Sequence, residues 1–588
     1  MLATTLRAPK PALGLLFWVG IFLLGGCISP WLPESDPDAR REQIKDTLKS
    51  EKRPRIVGQI SYERMITLSR LENIGLVSQL PGTGGKVQAS QPREKMLDSM
   101  RRYEVDHPNS LLDDPGTAMV VAYVAVPPAA RKGDVLDVQV RLSAHSEASS
   151  LRNGWLLETS LVEMSKLGGQ VREGFEFATA QGQVVTTAEI TGSEDPQDQV
   201  QGIVIGGARL RKGRELGIGV EAEFADAITM AAILPEINKR FTHFDGRKKT
   251  GIATPLEDSY VKIVVPPRYQ LDPYHFMNVV LQIGFNEPET QKQERIAMLG
   301  KQLLEPTTVR TACWQLEAVG EQGIPLLADI LSHPNREIRF YAAHSLAYLN
   351  DRRAVGPLAE LCRQEPAFRA MCLNGLAIID SYEAGDALEE LLHSADAETR
   401  YGAVRALRHR DSANPQVSAQ AVGEVGKILE IPTSGPPLVA ISLSQTPEVV
   451  LFGDNPRLSL PTFAYITPAM MINKEANGGL TITHFKPGQE DRAVQTSADL
   501  RSILIGIAEV GGTYGNWVSF IRECSQKGYL LEPIAMNPIP TAGRIYQRVE
   551  APALEPGESL FQATSFNASD SSPRADARTW YNPLTWWQ

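Results

Sequence analysis

The chain has 588 residues, room for more than one domain of roughly 100–200 residues each. Its 43% hydrophobic and 22% charged content is that of folded, soluble protein, and the net charge of −10 without a Lys/Arg block argues against nucleic-acid binding. The five cysteines form no C-x-x-C pair and no metal spacing, so no metal or cofactor site is expected.

At the N-terminus, Arg7 and Lys10 precede the apolar stretch Pro11 to Gly26, too short for a comfortable membrane span of about 20 residues. The stretch ends in Leu24-Gly25-Gly26-Cys27, which looks like a bacterial lipobox. Residues 1–26 are therefore read as a lipoprotein signal peptide, Cys27 as the acylated residue, and 27–56 as a polar tether. Ile28 follows where an Asp would suggest inner-membrane retention, so outer-membrane sorting is expected. A plain secretory signal or short anchor helix is the alternative.

Next comes a Gly-rich segment, Ile74 to Lys86. It fails as a phosphate loop, because Leu80 stands where the first Gly is required and Val87 where Ser or Thr would bind magnesium. A turn between sheet elements is expected. Ala118 to Val126 is almost wholly apolar, as in a strand buried on both faces, and Pro127-Pro128 ends it. Gly133 supplies a turn. A second strand follows in which Val135, Asp137 and Gln139 alternate with Leu136, Val138 and Val140. Ser150-Leu151-Arg152-Asn153-Gly154 closes the block.

These motifs resemble the flagellar P-ring protein family. The residues that carry the resemblance are Gly75, Gly82, Thr83, Gly84, Pro127, Pro128, Gly133, Asp137, Ser150, Leu151, Arg152, Gly154, Gln181 and Gly182. It implies a non-catalytic subunit that assembles into a ring around the flagellar rod. The partners it implies are further copies of the chain, the rod, an outer-membrane ring protein and peptidoglycan. Arg152 has three placements open: a carboxylate inside the fold, one on the next protomer, or the plain surface.

From about Gln291 the pattern becomes helical and repetitive. Arg310, Arg339, Arg369 and Arg400 recur 29, 30 and 31 residues apart, each followed three residues later by Cys313, Ala342, Cys372 or Ala403. Leu327, Leu358 and Leu388 mark second helices. The segment resembles short HEAT-like repeats and predicts an α-solenoid over 288–412, with an unidentified protein partner. His333, His344, His393 and His409 are read as surface or capping residues, and the cysteines as buried free thiols.

After the repeats, Glu448 to Phe485 reads as strands and Ser497 to Leu530 as a helix pair ended by Gly511, Gly512 and Gly528, both similar to the end of the P-ring pattern. The resulting fold class is α+β, a P-ring-like mixed β-sheet/helix body interrupted by an all-α HEAT-like solenoid. The body occupies 57–285 and 430–550, and a disordered Trp-containing tail covers 551–588. No nucleophile–base arrangement or acidic cluster points to an enzyme. The alternative function is a lipid-anchored envelope scaffold whose solenoid recruits a partner outside any flagellum.

Overall fold

The computed structural model describes residues 56–548, apart from 145, 168–169, 245, 477 and 486–489. The signal peptide, the lipidation site Cys27, nearly all of the tether and the tail 551–588 lie outside the described residues.

Strands β1 (Ser69–Ser78), β2 (Ala118–Val126), β3 (Val135–Leu142), β4 (Trp155–Leu167), β5 (Gln170–Gln183) and β6 (Gln201–Leu210) pair antiparallel in the order β3-β2-β1-β4-β5-β6. β6 then returns to β3, with Val140 opposite Gly202, and closes a barrel without free edges. So few strands leave a narrow interior, which explains why Ala and Val fill it: Val120, Ala122, Val124, Val138, Val140, Ala178, Ala180, Val204 and Ala208 are all buried. Register shifts in the β4–β5 ladder mark the bulges that bend this wall.

One expectation fails here. β2 is not buried on both faces along its length. As a barrel wall it seals Val120, Ala122, Val124 and Val126 inside, while Ala125 is exposed and Tyr123 lies half-buried under the Arg70 guanidinium, 4.3 Å from the ring centre. Apolar residues on the outer face of a single wall satisfied the same hydrophobic pattern.

A smaller antiparallel sheet of Ser61–Arg64, Leu216–Val220, Tyr260–Ile263 and Ala253–Glu257 carries the helix Ala227–Arg240. Asp226 starts that helix by accepting from the Thr229 N–H. A further helix, Pro273–Leu281, leads into the repeats.

The repeats are α1 (Glu289–Gln302), α2 (Val309–Val319), α3 (Ile324–Asp329), α4 (Arg336–Tyr348), α5 (Val355–Gln364), α6 (Arg369–Ile378), α7 (Tyr382–Leu391) and α8 (Ala397–Arg410). Asn335, Ser381 and Asp396 cap α4, α7 and α8 with side-chain oxygens, fixing where those helices begin. Cys313, Ala342, Cys372 and Ala403 are sealed at helix crossings, where small side chains let axes approach, and Leu327, Leu358 and Leu388 fill the shared core. The four cysteines within the described residues are free and buried, and burial pushes the Cys362 and Cys524 thiols up to about 12.

His344 departs from the surface role expected of it. Only 4% exposed, it packs edge-on against His275 at 4.6 Å and Tyr348 at 5.1 Å. The cause is that the face of α4 carrying His344 packs against the helix Pro273–Leu281 and its neighbours, whereas Arg336 on the same helix stays exposed.

Beyond the solenoid, strands Gln420–Val422, Gly426–Ile431, Glu448–Phe452, Leu438–Ile441 and Ile534–Met536 form a mixed sheet in that order. A four-stranded antiparallel meander, Phe463 to Thr496, and helices α9 (Leu500–Glu509) and α10 (Tyr514–Gln526) complete the molecule. The mixed sheet is buried on both faces. Leu429, Ile431, Leu438, Ala440, Val450 and Phe452 join the solenoid core. Their alternating neighbours Ile428, Val439, Ile441, Val449 and Leu451 join the core beneath α9 and α10. That second core also takes in Val185, Ile190 and Ile203 from beside the barrel. Residues far apart in sequence on either side of the solenoid thus share one interior.

Candidate functional site

Most of the resemblance-bearing residues gather at the end of the barrel where β1 stops and β2 starts, while Pro127, Pro128 and Gly133 lie beyond the opposite end of β2. The Gly82-Thr83-Gly84 turn lies against Ser149 and Ser150: the Thr83 hydroxyl donates to the Ser150 carbonyl at 2.8 Å, and the Ser149 N–H donates to the Thr83 carbonyl at 2.8 Å. Gly75 lies in β1 against Leu156 and Thr159 of β4, and Gly182 in β5 pairs with Leu156. Gly154 is required by close approach, because a Cβ there would sit 2.4 Å from Val77 Cγ1 and 2.9 Å from Leu80 Cδ2. At the barrel's β2–β3 turn, Pro127-Pro128 stops the strand and Gly133, at φ 94°, donates to the Leu210 carbonyl at 2.8 Å.

Two polar members of this set reach across to the region after the solenoid. Arg152 Nε donates to Glu189 Oε1 at 3.2 Å, and Arg152 Nη2 donates to Ser519 Oγ of α10 at 3.1 Å. Glu189 is fully buried, and its other oxygen accepts from the Thr186 N–H at 2.8 Å and the Thr186 hydroxyl at 2.9 Å. Of the three placements open for Arg152, the fold takes the internal carboxylate. Next to it Asn153, at φ 61°, accepts from Asn516 Nδ2 at 3.1 Å. Asn516 in turn closes a capping box with Thr513 at the start of α10.

Asp137 makes the second crossing. Its Oδ1 accepts the N–H groups of Gly206 and Gln445, both at 2.7 Å, and its Oδ2 accepts the Ser444 hydroxyl at 2.8 Å. Burial pushes its carboxyl above the usual range, opposed by these three hydrogen bonds. Both crossings carry charge and directional bonds, and they fix how β3 and the Arg152 turn meet α10 and the loop before Glu448.

Three of the repeat arginines act within the solenoid, and the fourth reaches beyond it. Arg310 lies over the Tyr341 ring at 5.5 Å, and Arg339 donates to the His333 carbonyl at 2.9 Å. Arg369 bonds Glu398 at 2.9 Å, and Arg400 donates to the Pro436 carbonyl at 2.6 Å, tying the last repeat to the mixed sheet. Where the solenoid begins, a cluster absent from the sequence expectations appears. Buried Glu317 of α2 accepts from the Tyr269 hydroxyl at 2.8 Å and approaches His275 Nε2 at 2.8 Å. Burial opposes a charged His275 ring, but the Glu317 carboxylate outweighs it and leaves the pKa raised. Burial, then the neighbouring His275, hold His344 well below the ordinary value. No group of three or more His, Cys, Asp or Glu that could hold a metal occurs among the described residues.

Sequence reading missed Glu189, Ser519, Asn516, Ser444 and Glu317. Only Glu189 left a signal, since Thr186-x-x-Glu189 spells a capping box.

The class these features define is an α+β body, a closed β-barrel joined to a mixed sheet, carrying a HEAT-like solenoid. Flagellar P-ring protein is the family matched by residues 59–298, and HEAT repeats are matched by residues 324–408. The chain is 26% identical over 233 residues to the flagellar P-ring protein of Thermotoga maritima, 38% of this chain and 65% of the relative. It is 25% identical over 212 residues to that of Geotalea uraniireducens, 34% and 53% of the two chains. With that of Aeromonas hydrophila it shares 36% identity over 128 residues, 21% and 32% of the two chains. The match thus spans less than two thirds of these relatives' length. The chain is similar to the flagellar P-ring protein family over residues 59–298, and the solenoid follows that stretch.

Proposed function

We propose that this protein is a non-enzymatic structural subunit of a ring resembling the flagellar basal-body P ring, closed by heterologous contacts between copies and supporting a rotating rod. The observation that carries the reading is the use made of the shared motif. Arg152 and Asp137, its most polar members, are both spent on internal clamps, which suits a part whose shape must be held and supplies no free nucleophile or base. In this reading the body stands in the periplasm near peptidoglycan and an outer-membrane ring protein, and an acylated Cys27 tethers it to the envelope, in the outer membrane. The P-ring-like body comprises the regions on both sides of the solenoid.

Electron microscopy of the detergent-solubilised native protein and of basal-body preparations tests this. Rings encircling a rod are expected. Strict monomers that copurify with one stable soluble partner would overturn it in favour of an envelope scaffold whose solenoid recruits that partner.

A further inference from the structure

Two buried imidazoles meet where the solenoid begins. His275, on the helix Pro273–Leu281, is 5% exposed, and His344 on α4 packs against it with the ring centres 4.6 Å apart. Tyr348 stacks on His275 at 4.2 Å and Phe340 on His344 at 5.3 Å, so aromatic rings complete the enclosure. The two histidines differ in their partners. His275 Nε2 lies 3.0 and 2.8 Å from the two Glu317 oxygens. His344 Nε2 is buried and, among the described residues, bonded to nothing.

Charges elsewhere around α4 are engaged or turned to water. Glu317 is the carboxylate that α2 brings, and its oxygens are shared by His275 and the Tyr269 hydroxyl. Cys313, also on α2, keeps its proton, since burial and then Glu317 push its thiol well above the ordinary value. On the body side, Asp272 accepts the His275 N–H, Arg268 donates to the Ile378 carbonyl, and Arg240 donates to the Glu317 carbonyl. On the solenoid side, Arg369 of α6 bonds Glu398, and Glu337 at the start of α4 bonds Arg548. Cys362 and Cys372 are thiols that burial pushes up, and Asp329 of α3 and Glu360 and Arg363 of α5 are exposed.

A proton on His344 would put a second cation beside His275 in a space that offers it no anion. In the closed joint that ring therefore stays neutral, and it takes up a proton only when the joint opens to water. Burial, then His275, hold it well below the ordinary value. The unfolded value is about 6.5, so its contribution is complete above that pH and falls as pH drops beneath it. His275 has the opposite sense. Its folded value is raised, so its contribution is lost on the alkaline side.

We propose that this joint is an acid-sensitive latch: uptake of one proton by His344 parts α4 from the helix Pro273–Leu281, while the mixed sheet keeps the far end of the solenoid attached. The two histidines together make the joint tightest near the pH at which a free imidazole titrates, and loosen it on either side.

Amide hydrogen exchange of the full-length chain, corrected for the intrinsic rate at each pH, tests the latch against His344→Phe, which keeps an aromatic ring and cannot titrate. Between about pH 6.5 and about pH 5, uptake of one proton should raise opening of α4 and the helix Pro273–Leu281 roughly tenfold in wild type relative to the variant. The variant should keep the alkaline loosening that belongs to His275, and strands β1 to β6 should stay protected in both chains. An acid response equal in the two chains overturns the latch, and so does loosening of the barrel in step with α4. If His344→Phe fails to fold, His344→Gln replaces it with the same expectation and the same overturning result.

Discussion

At the solenoid's far end, attachment to the body is mainly an apolar wall, with Val450 and Phe452 facing the repeats and Val449 and Leu451 facing α9 and α10. It is pinned at one edge, where Tyr401 and Arg408 of α8 donate to the buried Glu448 carboxylate. Beside the barrel, Val185, Ile190 and Ile203 add apolar contact, and the meeting with α10 and the loop before Glu448 is directed by Arg152, Asn153 and Asp137, each aimed at a particular atom. Apolar burial is non-directional and tolerates repacking, whereas a buried charge with fixed partners costs heavily when displaced. The first seam is mostly cohesion with a single charged clamp at Glu448, and the second owes its orientation to several directed polar contacts. The solenoid's entrance combines both, since the His275–Glu317 pair lies inside an aromatic cluster with Tyr269 and Tyr348.

This contrast can be broken most severely at the entrance. Glu317→Ala leaves the His275 ring and the Tyr269 hydroxyl buried without their partner, and should cost about 3–5 kcal/mol, read as a lowered thermal midpoint. The wild-type pair should also give a pH signature. The folded pKa of His275 is raised, so its contribution is complete below the unfolded value near 6.5 and is lost as pH rises through the folded value. In Glu317→Gln that loss on the alkaline side should vanish. A slope unchanged from wild type would remove the pair from the account.

Arg152→Ala is next. It strands the buried Glu189 carboxylate, but the arginine is partly exposed, so about 1–3 kcal/mol is expected. Hydrogen exchange should rise in α10 while the solenoid stays protected. Uniform loosening across the molecule would contradict a seam oriented by these directed contacts. Gly154→Val should cost about 1–3 kcal/mol by forcing Val77 and Leu80 aside, and should lower ring yield. Wild-type ring yield would dismiss the turn as an orienting element. The smallest effect belongs to Asp137→Asn. Because the folded carboxyl has a raised pKa, wild type should gain stability relative to this variant as pH falls through that value. A difference independent of pH would show that burial does not govern Asp137.

The sequence made the solenoid legible because a period of about thirty residues repeats its physics several times, so chance agreement is suppressed. It also showed where β2 stops, since Pro127-Pro128 cannot continue a ladder. The seams stayed hidden for a different reason. Arg152 and Ser519 are 367 residues apart, and no local pattern encodes which distant hydroxyl a guanidinium will meet. His344 was misplaced because polarity served as a proxy for exposure, which fails on the sealed face of a helix whose other face carries exposed Arg336. Residues 544–548 offered no periodic apolar signal, and their contacts with Glu398, Phe368 and Glu337 could not be read from the sequence.

The strand Glu448–Phe452 has a mechanical meaning as well. One plate of backbone belongs to two interiors, so pulling the repeats away would strip the plate's near face and leave the far one without backing. No soft joint is available there for the parts to yield separately. A load applied to the solenoid would be carried through the plate into α9 and α10, and the two halves should melt as one body.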